Sequence, residues 1–376
     1  MQQLPLFSSS SRKKLFFRFP WGVFFIILLW VSLGLINLYS ATYRFDQPGA
    51  SLLFRSQLLW ICIGLGLLFF LLWMDTHFFF EYSYLLYGFS ILLLLLVFFF
   101  GRSVAGQQNW IVIGKFSFQP SELAKLAFIL ALSRFYSEKI PREGLSFKVL
   151  LLALLLLILP TSLILLQKDL GGSLFFILLF FTLTFFTPFK IRYVLLIFCV
   201  GALACFALYQ WGLKPYQKDR IKIFMNPEKD PRGSGYHLMQ SKIAVGSGGL
   251  IGKGYLKGNM NKLKFLPERH TDFIFPVLAE EWGFAGAALS LAVMLIFLLL
   301  GIEAAYQTKD AFGSLVSLGI VGLFFWHLVI NLGGVLGLLP LTGVPLPFFS
   351  YGGSSVLTMM MAVGLLMNIR MGRYMF

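Results

Sequence analysis

PERHTDFIFPVLAEEWGFAGAALSLAVMLIFLLL, residues 267–300, sets five polar or charged side chains, Glu268 to Asp272, against an apolar run from Phe273 to Leu300. The run is long enough to cross a bilayer. An acid at the threshold of such a span is costly to place, which makes Asp272 a candidate functional residue by default. Runs of the same kind recur along all 376 residues, of which 58% are hydrophobic and only 12% charged. Mean hydropathy is +0.81. A soluble chain would carry about twice that charged fraction. The runs lack period-two alternation, which excludes a transmembrane β-barrel. The expected class is an all-α polytopic membrane protein with about ten transmembrane helices and one large extracytoplasmic loop.

The expected spans are 21–41, 52–74, 78–100, 120–137, 147–167, 170–188, 191–211, 271–300, 311–337 and 348–369. They divide the chain into an N-terminal segment (1–20), seven spans (21–211), a large loop (212–270), three spans (271–370) and a short C-terminus (371–376). Arg12, Lys13, Lys14 and Arg18 precede a run that reads as a retained span and not as a cleaved signal. The bias of Lys and Arg among the short loops puts both termini in the cytoplasm and the 212–270 loop outside. Net charge is +15. Much of that excess is the ordinary cytoplasmic bias, but the outer loop is basic too, with Arg232, Lys242 and Arg269 among its cations. Either it is a solvated basic loop or it offers a phosphate-binding surface beside the bilayer. Nucleic acid is not an expected partner. Cys62, Cys199 and Cys205 lie within apolar runs and form no metal-ligand or disulfide pattern.

Four constellations carry candidate chemistry. Thr271 reads as the N-cap of the span after it, which would put Asp272 in the first helical turn. Pro276 has no N–H for the Asp272 carbonyl, leaving that oxygen available to water, an ion or a ligand. In QPSELAK (119–125), Glu122 and Lys125 share a helix face. Such a pair inside a membrane faces a bundle interior or a watery cavity. In QKDLGG (167–172), Asp169 sits at a turn, either solvated or as a partner for Lys125. In PLPFFSYGGSS (345–355), prolines and glycines break a span, a pattern tolerated only in backbone that is buried or lines a cavity. Trp110 reads as an outer-loop residue, His327 and Asn331 as an interhelical hydrogen-bonding pair, and Glu280 as an acid paired within the bundle.

At these motifs, together with PERHTDFIF (267–275) and AEEWGF (279–284), the chain resembles the SEDS family of bacterial cell-wall proteins over residues 101–369. DPRGSGYHLMQSK (230–242) and FLPER (265–269) resemble its RodA branch more than its FtsW branch. The resemblance implies a ten-helix bundle in the bacterial cytoplasmic (inner) membrane. It also implies a peptidoglycan glycosyltransferase polymerising lipid II, serving elongation or, in the septal branch, division. The implied partner is a class B penicillin-binding protein. The family's essential acid falls on Asp272, its intramembrane lysine on Lys125, its second acid on Asp169 and its outer-loop tryptophan on Trp110. Departures are Lys168 where proline is usual, Asn109 for arginine, Pro276 for a small residue, and Val335 for methionine. Lys168 would then compete with Lys125 for Asp169.

The chemistry expected is an inverting transfer with Asp272 as general base. Glu122, Lys125, Asp169 and Trp110 support the cavity, and Arg232, Lys242 and Arg269 hold the diphosphate. A divalent cation, Mg or Mn, is possible at that diphosphate. Spans bearing acids and lysines also fit a lipid flippase or transporter, and a non-catalytic scaffold is a third reading. Polymerisation of lipid II by purified protein separates the first reading from the others.

Overall fold

The computed structural model describes residues 19–43, 49, 51–104, 107–114, 116–139, 146–188, 201, 210, 223–230, 233–259 and 270–372. In chain order the described elements are α1 (Trp21–Thr42), α2 (Leu52–Trp73), α3 (Thr76–Glu81), α4 (Ser83–Phe100), β1 (Gly101–Val104), β2 (Gln107–Ile113), β3 (Phe116–Phe118), α5 (Pro120–Lys139), α6 (Phe147–Leu166), α7 (Leu170–Phe185), α8 (Ser234–Ser247), α9 (Ile274–Gln307), α10 (Ala311–Leu336) and α11 (Gly353–Gly372).

Seven of these helices, α1, α2, α4, α6, α9, α10 and α11, are long and apolar enough to cross a membrane. Side-chain caps start several elements: Ser51 for α2, Asp75 for α3, Ser146 for α6 and Asp310 for α10. Each cap accepts one of the N–H groups that a helix start leaves without an internal partner. On α6, Leu151, Leu155, Ile158 and Leu159 are exposed, a surface that lipid covers. α5 is different. It is more polar than the other spans, carrying Glu122 and Lys125 near its start, yet Ala124 to Leu132 are all buried. It is the central post, packed against α4, α6, α7, α10 and α11. A polar helix is stable there because its neighbours, and not lipid, surround it.

Nine of the ten expected spans have helices in the described residues; the span expected at 191–211 lies almost wholly outside them. Three boundaries change. The span expected at 78–100 is broken at Tyr82 (φ −94°, ψ 7°) into α3 and α4. The span expected from 348 begins at Gly353, because Pro345 and a turn at 347–349 that includes Pro347 precede it. α9 runs on to Gln307 but is opened at Gly283 (φ 65°, ψ −163°). The stretch from Phe284 to Gln307 is about 36 Å long, enough to cross the hydrocarbon core without the part before the break.

At Gly283 the helix lends its backbone to the loop after α8. Lys253 and Gly254 N–H donate to the Glu280 and Glu281 carbonyls (3.0 and 2.9 Å), while Phe284 and Ala285 N–H donate to Gly249 and Leu250 (2.8 and 3.0 Å). Glycine is required at 283 by its positive φ. The side chains add to this. Glu280, fully buried, pairs with Lys253 at 2.7 Å, and Ser40 donates to both Glu281 carboxylate oxygens at 2.6 and 2.7 Å.

The all-helical expectation needs one correction. Residues 101–118 form a three-stranded antiparallel sheet in the order β1-β2-β3, with Arg102 opposite Trp110 and Ile111 opposite Phe118.

Candidate active site

Residues 270–273 form a turn, and α9 starts only at Ile274 with no side-chain cap. Thr271 is therefore not an N-cap, and Asp272 precedes the helix instead of lying in its first turn. Tertiary bonds override the local signal. Tyr351 N–H donates to the His270 carbonyl (2.8 Å), Ser350 Oγ to the Thr271 carbonyl (2.6 Å), and Asn331 Nδ2 to the Asp272 carbonyl (3.1 Å). Asn37 Nδ2, from α1, donates to Ile274 at 2.9 Å. The Asp272 carbonyl that Pro276 cannot serve is thus not left free as the sequence suggests: it accepts an N–H from Asn331 of α10.

Two of these donors, Ser350 and Tyr351, come from a broken segment that is itself tied down. Ser350 Oγ also accepts the Leu346 N–H at 2.8 Å. Gln57 of α2 grips the same stretch twice, donating to the Ser350 carbonyl (3.1 Å) and accepting the Gly352 N–H (3.2 Å). Phe348 has φ 62°, unfavourable for a bulky residue. Its ring is 2% exposed and packs on Trp30 and Phe324, with centroids 5.5 and 5.9 Å away. Gly343, at φ 74°, lies beside the acid, where an added Cβ would stand 3.6 Å from Asp272 Oδ2.

Asp272 opens onto a cavity of about 490 Å³. Glu122 and Lys125 of α5, Asp169 at the head of α7, Asn109 and Trp110 of β2, and His327 of α10 also line it. Lys125 is 2% exposed. Its Nζ lies 2.8 Å from Glu122 Oε1, 3.1 Å from His327 Nε2, and over the Phe175 ring at 4.5 Å. The i,i+3 pair read from the sequence is present.

Neither reading of Asp169, as a partner for Lys125 or as a solvated turn acid, is met: it is 6% exposed and does not pair with the lysine. Asp169 caps α7, accepting the Gly172 N–H at 2.8 Å through Oδ1. Oδ2 accepts from Asn109 Nδ2 (3.0 Å) and Gln119 Nε2 (3.4 Å). Neutral amides satisfy this carboxylate, and Lys125 has a nearer acid one helical turn away. Lys168 is exposed, at φ 67°. Asn109, a departure from the family pattern, supplies one of those amides.

Trp110 lines the cavity from a strand and not from an irregular loop. His327 and Asn331 bond between elements as read: His327 Nδ1 lies 3.1 Å from the Pro345 carbonyl, and Asn331 Nδ2 also donates to Val344 at 2.8 Å. Lys242 does not line the cavity; it lies exposed on α8 with its ammonium against Gly337, at the C-terminal end of α10. A cation is favoured there by the helix dipole. Arg232 and Arg269 lie outside the described residues. Among the described residues no three His, Cys, Asp or Glu side chains gather to hold a metal. The sequence reading missed His237, which lines the cavity from α8 with Nδ1 buried and unbonded. Its place in a long polar loop gave no periodic signal.

A profile of the FtsW, RodA and SpoVE family, described as cell cycle protein, matches residues 20–375. The peptidoglycan glycosyltransferase RodA of Treponema pallidum (strain Nichols) is 32% identical over 424 residues, covering 93% of this chain and 97% of that one. The peptidoglycan glycosyltransferase MrdB of Escherichia coli (strain K12) is 40% identical, covering 77% and 78%. Stage V sporulation protein E of Bacillus subtilis (strain 168) is 39% identical, covering 93% and 96%. A chain solved in a study of polymerization and crosslinking by a peptidoglycan synthase complex superposes with TM-score 0.82 at 33% identity, covering 95% and 99%. The rod shape determining protein RodA of Thermus thermophilus superposes with TM-score 0.70 at 31% identity, covering 95% and 98%.

Proposed function

This chain belongs to the FtsW, RodA and SpoVE family, and from that premise we propose that it is a peptidoglycan glycosyltransferase that polymerises lipid II, with Asp272 as general base. The observation that carries the assignment of the base is the backbone of Asp272. Three successive carbonyls, His270 to Asp272, are each held by a different donor from α10 or the segment after it. Such over-determination fixes one carboxylate at the wall of a polar cavity, as a base that must meet its proton within hydrogen-bond reach requires.

In the reaction, the acceptor sugar hydroxyl attacks the anomeric carbon of the donor. The new carbon–oxygen bond forms as the bond to diphosphate breaks. The diphosphate leaves with the electron pair, and the hydroxyl proton passes to Asp272. Diphosphate is a good leaving group, so one carboxylate suffices, with inversion at carbon. The leaving group needs positive charge. Lys125 is the cation that lines the cavity among the described residues. Arg269 and Arg232 are proposed to add to it from the loop. Among the described residues no three-ligand cluster is present to hold a divalent cation; such an ion, if bound with the substrate, would supply further positive charge to the diphosphate.

We place Asp272 at the outer face of the bacterial cytoplasmic membrane and both termini inside, by the charge bias of the short loops. The partner we propose is a class B penicillin-binding protein supplying crosslinking. Similarity to a chain of a peptidoglycan synthase complex supports that pairing. Relatives carry both RodA and FtsW names; the 230–242 and 265–269 motifs favour elongation over division.

The test is polymerisation of lipid II by purified full-length protein, with and without its partner. Asp272→Asn keeps the shape and removes the base. A wild-type rate for that variant sinks the assignment. Scrambling of labelled lipid II in liposomes without polymerisation would instead support a flippase.

A further inference from the structure

His327 is a buried titratable side chain to which the mechanism above gives no task. It is fully buried in α10, with its ring tilted by 39° against that of Phe175 at 4.3 Å between centroids. Its two nitrogens have unlike neighbours. Nδ1 faces the Pro345 carbonyl at 3.1 Å, and a carbonyl can only accept. Nδ1 therefore carries the proton. Nε2 faces Lys125 Nζ at 3.1 Å, and an ammonium can only donate. Nε2 must therefore present its lone pair. The two contacts together allow one state only, a neutral ring in a single tautomer.

Lys125 spends one N–H on Glu122 and one on His327. Its third N–H has no nitrogen or oxygen acceptor among the described residues; Nζ lies over the Phe175 ring at 4.5 Å, and a diphosphate oxygen entering the cavity is a stronger acceptor than that ring face. Asn331, one turn further along α10, shares the helix face of His327. Its amide bonds Val344, next to Pro345, and the carbonyl of Asp272. One helix thus holds the ammonium with one side chain and the acid's backbone with the next, about 6 Å further along its axis.

We propose that His327 is a positioning residue for glycosyl transfer: it aims the Lys125 ammonium at the departing diphosphate and fixes the spacing of that cation from Asp272. The inference rests on the glycosyltransferase reading and deepens it. It gives a specific expectation for the replacement of His327. Glutamine offers an N–H for Pro345 and a carbonyl oxygen for Lys125, so it reproduces both contacts without an ionisable group. Leucine reproduces neither.

The experiment measures lipid II polymerisation by full-length His327→Gln and His327→Leu, alongside Lys125→Met and Lys125→Met/His327→Leu. Thermal unfolding of each checks folding. Misplacing a group that acts in the transition state costs on the order of 10²-fold in kcat with a smaller change in KM. His327→Leu should show that loss, and His327→Gln should recover to within about tenfold of wild type. Adding His327→Leu to Lys125→Met should cost little more, because the histidine acts through the lysine. If His327→Leu unfolds, the glutamine variant still decides. Failure of a folded His327→Gln would make the histidine a proton carrier and overturn the proposal, as would a fully active His327→Leu. An active Asp272→Asn control beside an inactive His327→Leu would refute the general-base reading and leave this one standing.

Discussion

Replacing Asn331 with leucine tests the link between Pro276, α10 and the acid. Leucine keeps the branched outline, though it is larger, and removes the amide that serves both the Asp272 carbonyl at 3.1 Å and the Val344 carbonyl at 2.8 Å. Leaving a buried carbonyl without a donor costs about 1–3 kcal/mol. Two are orphaned, but Asp272 lines the cavity, where water recovers part of the loss. Asn331 Oδ1 is already buried without a partner, so leucine also removes one existing penalty. The net destabilisation is then roughly 1–3 kcal/mol. Activity should fall further than stability, by on the order of 10²-fold, because the acid's turn loses one of its three anchors. The second half of the test is a rescue. Pro276→Ala restores an N–H four residues beyond Asp272, and α9 can then extend back by a residue to take up the carbonyl that Asn331 releases. In that background Asn331→Leu should cost about 1 kcal/mol less, a coupling that a double-mutant cycle resolves. The assays are thermal unfolding in detergent and lipid II polymerisation. Strictly additive effects of the two substitutions, or a wild-type rate for Asn331→Leu, would refute the reasoning.

Gly343 has φ 74°, so Gly343→Val should lose at least the roughly 1–2 kcal/mol of left-handed strain, and Gly343→Asn less, because asparagine enters that region more readily. Equal melting temperatures for the two variants would show that the backbone there is not constrained. Lys253→Met removes the ion-pair partner of the fully buried Glu280 and should destabilise by about 3 kcal/mol, the lower end for broken buried pairs because the lysine is partly exposed. Adding Glu280→Gln should recover part of that loss by removing a carboxylate that has lost its ammonium partner while keeping the Asn259 N–H at 3.0 Å; no recovery would mean that the pair is not what stabilises the loop.

Much of the bundle was legible because each span is a local matter. Ser146 and the apolar run after it specify α6 without reference to anything distant. The breaks after α10 were legible too, since Pro345 and Pro347 cannot continue a helix. What failed was the choice between equally plausible local partners. Thr271 has the chemistry of an N-cap, but its carbonyl is held by Ser350, 79 residues away in the chain. Asp169 and Lys125 are complementary charges in one cavity, yet each found a nearer partner, Gly172 and Glu122. The sheet at 101–118 was missed because its strands are short and flanked by strongly helical segments. His237 was missed because only the folded loop brings it to the cavity. Local periodicity says which elements form; the donors that reach across them are set by packing.

The opened helix at Gly283 has a mechanical consequence. Four backbone hydrogen bonds cross between α9 and the 249–254 turn, two on either side of the break. Loaded side by side, they must yield together, so the joint resists shear far better than any one bond. A tug on the turn is delivered to Glu280 and Glu281, within the first three turns of the helix that begins two residues after Asp272. The 249–254 turn is therefore not a tether that swings free of α9. Whatever grips it pulls on the helix that the acid precedes.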